Sequence, residues 1–341
     1  MVEPLLEVKD LTVSFNTEDG VVRAVDGVSF TLRHGEVLGI VGESGSGKTV
    51  AVMSILRLLD DPNATFDGEV LYKGRDLITL PDDRIRAVRG REIALVVQDP
   101  AAALNPVYRV GDQIAEAIVT HQTIARSQAR RRAVELLGEV GIPDPARRAR
   151  DFPHQFSGGM RQRAVIAMAL ANDPDILIAD EPTTALDATI QAQILDLIGT
   201  LQERFRSAVI LITHDLGVVA GIADRIAVMY AGRIVEYAGR RDLFYDPQHP
   251  YTWGLLGSIP RFDHPHELRL HSIAGTPPSL IDPPEGCRFR PRCPQAFAAC
   301  TDEPRLEARV EQGHHLDRCL LEVEKKRALR NDTIRGEIPA G

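Results

Sequence analysis

Lysine is scarce in this chain: of 40 basic residues only five are lysine, at positions 9, 48, 73, 325 and 326. A chain that otherwise uses arginine has a reason for each lysine it keeps, because the compact ammonium and the planar guanidinium fit different shapes. Cysteine is scarcer, with four residues all between 287 and 319, which confines thiol chemistry to that stretch. Long apolar runs are missing. No uncharged apolar run exceeds about eight residues, against the ~20 that span a bilayer, which excludes an integral membrane protein. The first residues, MVEPLLEVKD, show no basic region followed by an apolar stretch, so no signal peptide is expected and the chain should stay in the cytosol. Positive charge is in deficit too. A net charge of −8 argues against a nucleic-acid binder with a broad basic face. Repeats and low-complexity segments are absent.

What is present is ordinary for a soluble globular protein: 44% apolar and 26% charged residues, which excludes disorder and collagen. A length of 341 residues suggests about two domains. Residues 5–15 and 21–32 alternate apolar and polar side chains as half-buried strands do. GEVLGIVG at 35–42 is a short apolar run ending in glycine, and a helical pattern follows at 48–59. Strand, glycine loop and helix open an α/β unit. A helical pattern also covers 112–140, with Ser127 as a cap for its second part and Gly141 as its stop. Residues 159–171 read as a helix, 173–180 and 207–215 as buried strands, and 226–239 as a hairpin. From about 245 prolines and histidines gather and periodicity fades, which places a boundary near 240: residues 1–240 form one domain and 241–341 another. Arginine clusters at 130–132 and 147–150 read first as a solvated helix face, and alternatively as contact with lipid headgroups or a membrane-embedded partner.

GESGSGKT at 42–49 has the spacing of a phosphate loop. Gly42, Gly45 and Gly47, with Ser44 between them, let backbone N–H groups turn inward and cradle phosphates. Lys48 places a point charge between phosphate oxygens, and Thr49 offers a hydroxyl to Mg²⁺. ILIAD at 176–180 delivers Asp180 to the magnesium from a buried strand, and Glu181 follows where it can polarise a water attacking the γ-phosphate. His214, after the apolar run VILIT, is either an orienting donor to the γ-phosphate or a satisfied histidine at a strand end. Gln98, ending IALVVQ, can orient water or bind Mg²⁺ through its amide. SGGMRQR at 157–163 makes a second anion cradle, in which Ser157, Gly158 and Gly159 open a helix. One loop already fills one nucleotide. A second cradle makes sense if it closes on a nucleotide held by another subunit, so the chain reads as half of a two-site sandwich.

In this order, GESGSGKT, Gln98, SGGMRQ, ILIADE, TALD (184–187) and His214 resemble the ATP-binding subunit of an ABC transporter over residues 5 to about 240. The resemblance implies a fold of the α/β class: a P-loop (RecA-like) nucleotide-binding domain with an inserted helical subdomain at about 100–160, and a small irregular C-terminal domain bearing the cysteines. It implies that ATP and Mg²⁺ are bound and that Phe15 stacks on adenine. Gln98 would lie in the loop coupling to the membrane subunit. Ser157 and Gly159 would reach the partner's γ-phosphate, and Asp187 would contact the opposed subunit. The signature here is FSGGM, where the family's usual form starts with leucine and has glutamine after the glycines; the backbone cradle is unaffected. QDPAAALNPV at 98–107, the segment 232–260 and the cysteine segment are similar to the ATPases of dipeptide, oligopeptide and nickel importers. That narrower likeness implies import of peptides, with nickel or another small solute as the alternative. It also implies two transmembrane permease subunits, a second ATPase subunit (a paralogue in preference to a second copy) and an extracytoplasmic solute-binding protein, with the chain peripheral on the cytoplasmic face of the membrane. No nucleic-acid partner is expected. A soluble ABC ATPase of translation or DNA repair would carry two motif sets or a long coiled-coil insertion, and neither is present. A nucleotide-binding module without turnover would not need Glu181 and His214.

Cys287, Cys293, Cys300 and Cys319 are separated by five, six and eighteen residues. In a reducing cytosol four thiols suggest a metal site in preference to disulfides, although these are not the short paired spacings of zinc ribbons. The same importer group implies a [4Fe-4S] cluster here; zinc and free thiols stay open as alternatives. A cluster would staple a proline-rich tail that buries little apolar surface by itself.

Overall fold

The computed structural model describes residues 3–184, 186–259, 273–308 and 314–335. Ala185 of the TALD stretch, Pro260, and 309–313 within the cysteine segment lie outside the described residues.

Strands β1 (Leu6–Thr17) and β2 (Gly20–Leu32) mix buried and exposed positions, as strands with one wet face do. β3 (Val37–Val41) is buried along its whole length and runs into the glycine loop, after which α1 (Lys48–Ile55) begins. The sequence offered no element for the next stretch, which holds β4 (Ala64–Tyr72), β5 (Arg75–Asp76) and α2 (Asp82–Val88) before β6 (Ile93–Val96). Five helices follow: α3 (Pro100–Ala103), α4 (Val110–His121), α5 (Arg126–Glu139), α6 (Pro145–Arg148) and α7 (Gly158–Ala169). The expected cap at Ser127 needs correction. Ser127 lies inside the first turn of α5, whose N-cap is Ala125, and the Ala125 N–H donates to Gln128 Oε1 at 3.2 Å. Gly141, at φ 74°, ends this helical stretch as expected. Then come β7 (Ile176–Asp180), α8 (Ala188–Phe205), β8 (Ala208–Thr213), α9 (Leu216–Ile222), β9 (Arg225–Tyr230), β10 (Arg233–Gly239), α10 (Arg240–Tyr245) and α11 (Pro250–Gly257). The chain closes with β11 (Glu307–Ala308), β12 (Leu316–Asp317) and α12 (Val323–Arg335).

The chain divides into two compact units. The first comprises Met1–Leu6, Leu32–Val37 and Thr79–Ile212; the second comprises Glu7–Thr31, Leu38–Ile78 and Thr213–Gly341. In the first unit β8, β7 and β6 lie side by side and parallel, with Ile178 facing Ile210 on one side and Leu95 on the other. β7 and β8 are buried on both faces, so they read as continuous apolar runs. Helices α4 and α5 pack through one-sided stripes, Val110, Ile114, Ala115 and Ile118 on one and Ala129, Ala133, Leu136 and Leu137 on the other.

In the second unit β2, β1, β4 and β5 form one sheet in that order, while β11, β12, β10, β9 and β3 follow one another as neighbours. The β9–β10 hairpin turns through Ala231 (φ 46°) and Gly232 (φ 82°), the two positive-φ positions of a type I′ turn. The C-terminal segment is held by buried polar groups as well as apolar contacts. Glu236, fully buried on β10, accepts from the N–H groups of Gln248 (2.6 Å) and His249 (3.0 Å), and its Oε1 lies 2.6 Å from His315 Nε2. Trp253 donates to Pro247 O and packs with Cys319 and Leu321. Lys326 and Asp317 form an ion pair with neither side chain exposed.

Candidate active site

In the second unit the phosphate loop is built by its own sequence. Gly47 is the N-cap of α1 at φ 98°, and a Cβ there would lie 2.2 Å from Ala24 O, so no other residue fits. Lys48 is buried, and its Nζ donates to Gly42 O (2.8 Å) and Glu43 O (2.9 Å). Ser44, Gly45 and Thr49 are exposed, with Thr49 in the first turn of α1. Gly232 N–H, in the β9–β10 turn, donates to Ser46 O at 2.9 Å, which pins the loop to that hairpin. Phe15 sits half-buried on β1, and His214 is exposed just after β8, beside Asp215, which caps α9.

The first unit brings together the acid and the amide. Asp180 ends β7 and is 3% exposed. Glu181 follows at φ 44°, an uncommon conformation for a side-chain-bearing residue and one that marks functional sites. Its N–H donates to Ile212 O at 3.0 Å, and its Oε2 accepts from Gln98 Nε2 (3.0 Å) and Thr184 Oγ1 (2.8 Å). Two residues that are 83 positions apart in sequence therefore share one hydrogen bond. Ser157 is the N-cap of α7 and accepts from Met160 N–H at 3.3 Å. Ser157 and Gly158 are exposed, leaving the first N–H groups of a twelve-residue helix open to an anion. A Cβ on Gly159 would meet Ile190 Cγ2 at 2.8 Å, so α7 sits close to α8 there. Asp187 caps α8, accepting from Thr189 and Ile190 N–H groups at 3.1 and 3.0 Å.

All four cysteines are free thiols, and all four line one small cavity with Phe289, Phe297 and Leu321. Burial pushes Cys293 and Cys319 up to about 12 and raises Cys287 as well. The expected ligand set is not assembled: among the described residues no group of three or more His, Cys, Asp or Glu side chains is arranged to hold an ion.

Sequence reasoning missed several groups around the loop. Arg292 pairs with Glu43, Tyr251 Oη accepts from Glu43 N–H, and Asp26 binds both Arg233 and Arg288. Burial acts to raise Asp26, but the two guanidiniums outweigh it and hold the carboxyl below the usual range. No local motif could reveal these pairs, because their members lie more than two hundred residues apart.

A glycine-rich loop closing on a buried lysine, together with a strand-end acid pair, defines a phosphate-loop ATPase. The fold is similar to an ATP-binding cassette solved as a dimer in a post-hydrolysis state with ADP and Pi, at TM-score 0.62 and 30% identity over 69% of this chain and 99% of that one. CbiO1 of Clostridium perfringens, part of the ABC transporter complex CbiONQ, gives 0.60 at 25% identity over 71% and 91%. The ABC transporter family model matches residues 25–184, and that of the oligopeptide/dipeptide transporter C-terminal region matches 235–300. The chain is 52% identical to the dipeptide transport ATP-binding protein DppD of Bacillus subtilis (strain 168), over 95% of this chain and 96% of the relative. It is 49% identical to the oligopeptide transport ATP-binding protein OppD of Salmonella typhimurium (strain LT2), over 89% and 90%. The chain belongs to the ABC transporter family, as an ATP-hydrolysing cassette. Among the described residues no helix is long and apolar enough to cross a membrane.

Proposed function

We propose that the chain is the ATP-hydrolysing motor subunit of an importer for di- and oligopeptides, working as half of an ATPase dimer. The observation that carries this reading is the pair of matched segments: the cassette at 25–184 and the oligopeptide/dipeptide transporter region at 235–300, in one chain collinear with dipeptide and oligopeptide transport ATP-binding proteins. Gly42, Ser44, Gly45, Gly47 and Lys48 would hold the phosphates of ATP, with Phe15 against its base. Thr49, Asp180 and Gln98 offer the hard oxygen donors that Mg²⁺ takes, and Mg²⁺ supplies charge neutralisation on the phosphates. Glu181 polarises the attacking water as general base, with Gln98 donating to its carboxylate and His214 as a donor to the γ-phosphate. Ser157, Gly158 and Gly159 present their cradle to the nucleotide of a second ATPase subunit, a paralogue in preference to a second copy. Two permease subunits and an extracytoplasmic solute-binding protein complete the machine, with this subunit peripheral on the cytoplasmic face.

The four thiols are free and line one small cavity with Phe289, Phe297 and Leu321, surroundings that suit a soft metal group, although among the described residues they are not drawn together as a ligand set. We propose that Cys287, Cys293, Cys300 and Cys319 hold a [4Fe-4S] cluster, ahead of zinc, and that it staples the tail. Iron and sulfide analysis of anaerobically purified protein should find both; zinc alone would replace the cluster, and no metal would end the proposal. The transport reading is tested by uptake of a labelled dipeptide into vesicles carrying the full complex. Uptake should require ATP and disappear with Glu181→Gln, whereas uptake of nickel and not of peptide would overturn the substrate assignment.

A further inference from the structure

Glu43, the second residue of the phosphate loop, is held from three sides. Its N–H donates to Tyr251 Oη at 2.9 Å, and its carbonyl accepts from Ser46 N–H (3.2 Å) and Lys48 Nζ (2.9 Å). Its carboxylate takes both arms of Arg292, Nη1 to Oε2 at 2.7 Å and Nη2 to Oε1 at 3.1 Å. Arg292 is itself fixed. Its side chain is 6% exposed, Nε donates to Ala274 O (2.9 Å), Nη2 to Ile273 O (3.1 Å) and Nη1 to Tyr230 Oη (3.4 Å). Every one of the five guanidinium donors thus has an acceptor, which a lysine with three donors could not reproduce. Tyr230, Tyr251 and Phe289 support the arrangement as a ring cluster with centroids 4.6–5.4 Å apart. Burial raises the Tyr251 phenol well above its usual range, so it stays neutral.

We infer that Arg292, with Tyr251, is a positioning residue for ATP binding: the C-terminal segment sets the conformation of the phosphate loop by clamping Glu43. A bidentate charge-assisted pair specifies angle as well as distance, and phosphate amides must already face inward for a loop to bind without paying for ordering. The donors of Arg292 are taken by Glu43, Tyr230, Ile273 and Ala274, so Arg292 acts on the loop through Glu43. The inference rests on the assignment of residues 42–49 as the ATP phosphate loop.

The test is MgATP binding to the full-length chain, read by competition with a fluorescent ATP analogue and paired with a thermal unfolding curve. Lys48→Ala checks the assignment itself; binding that survives this change defeats the loop reading, apart from the clamp. With that control lost as expected, Arg292→Met should weaken MgATP binding by about tenfold or more, from the usual worth of hydrogen bonds to charged groups. Glu43→Gln should weaken it similarly, the double variant should lose little beyond either single, and Arg292→Lys should recover only part. Wild-type affinity in a folded Arg292→Met chain, or losses that multiply in the double variant, would overturn the clamp. If Arg292→Met does not fold, Tyr251→Phe carries the test, since it removes only the acceptor for Glu43 N–H. A several-fold loss supports the clamp, and unchanged affinity refutes it.

Discussion

The phosphate loop and the cysteine-bearing tail are built in opposite ways. The loop's motif lies within eight positions, Lys48 Nζ reaching back to Gly42 O, and distant groups (Ala24 O, Gly232 N–H and the Arg292 guanidinium) hold a form whose spacing is already local. Among the described residues between α11 and α12 the tail has little regular structure, and its fixed points are pairs with distant partners: His315 with Glu236, Arg288 with Asp26, Arg292 with Glu43. Local geometry can be written in a motif. Distant pairing cannot, and it makes the tail the part most exposed to loss of a single buried group.

The largest expected effect lies there. Glu236→Ala removes the acceptor of two backbone N–H groups and His315 in a fully buried place, so it should cost about 3–5 kcal/mol by urea unfolding. Burial acts to raise the Glu236 carboxyl, but His315 and the Gln248 N–H outweigh it and hold it below the usual 4.5. Its stabilisation is therefore complete above about pH 4.5 and is lost as the pH falls through the lowered folded value. Urea midpoints of the two proteins should converge in that acid range. A wild-type midpoint for the variant at pH 7 would mean that the tail does not depend on this hub.

Next in size is Glu181→Gln. The variant should bind MgATP and hydrolyse it about 10²-fold or more slowly, the usual worth of a general base. Phosphate release near the normal rate would remove Glu181 from the chemistry and leave its Gln98 contact as structure alone.

How far the sequence could be read follows the same division. GESGSGKT, the run ending at Asp180, the glycines of α7 and the hairpin at Tyr230–Arg233 were legible because each is written as a pattern of neighbours in the chain, whatever distant groups then hold it. The contact of Gln98 with Glu181 was half legible: both residue types suggested the chemistry, but their meeting depends on β6 and β7 lying side by side. β4, β5 and α2 gave no sequence signal, since β4 is mostly half-exposed and α2 is a short polar turn of helix. Ser127 looked like a cap from its type, but the Ala125–Gln128 interaction starts the helix earlier. The density of proline and histidine suggested a break near 240, while the chain from Thr213 onward shares a compact unit with Leu38–Ile78 through pairs such as Arg292 with Glu43. Composition records where periodicity ends, not what the segment packs against.

A smaller effect probes the local side. Gly47→Ala forces an alanine into φ 98° with a Cβ 2.2 Å from a backbone carbonyl, for an expected cost of about 1–3 kcal/mol. MgATP binding should fall with it, because the turn that opens α1 cannot keep its shape. Unchanged stability and binding would show that the loop is less determined by its own sequence than the motif suggests.

The smallest effect belongs to neither region and calibrates both. Arg130 donates to Asp112 at 2.9 Å on the helical part of the first unit, with side chains 67% and 43% exposed. Water screens that pair and its ordering costs side-chain freedom, so Arg130→Ala should change stability by less than about 1 kcal/mol, with the difference shrinking further in high salt. The contrast with Glu236 is one of burial, since in each contact a carboxylate lies within hydrogen-bond distance of a side-chain nitrogen. If Arg130→Ala instead cost as much as Glu236→Ala, burial would not be what separates the two, and the account of the tail as a segment held by desolvated pairs would fail with it.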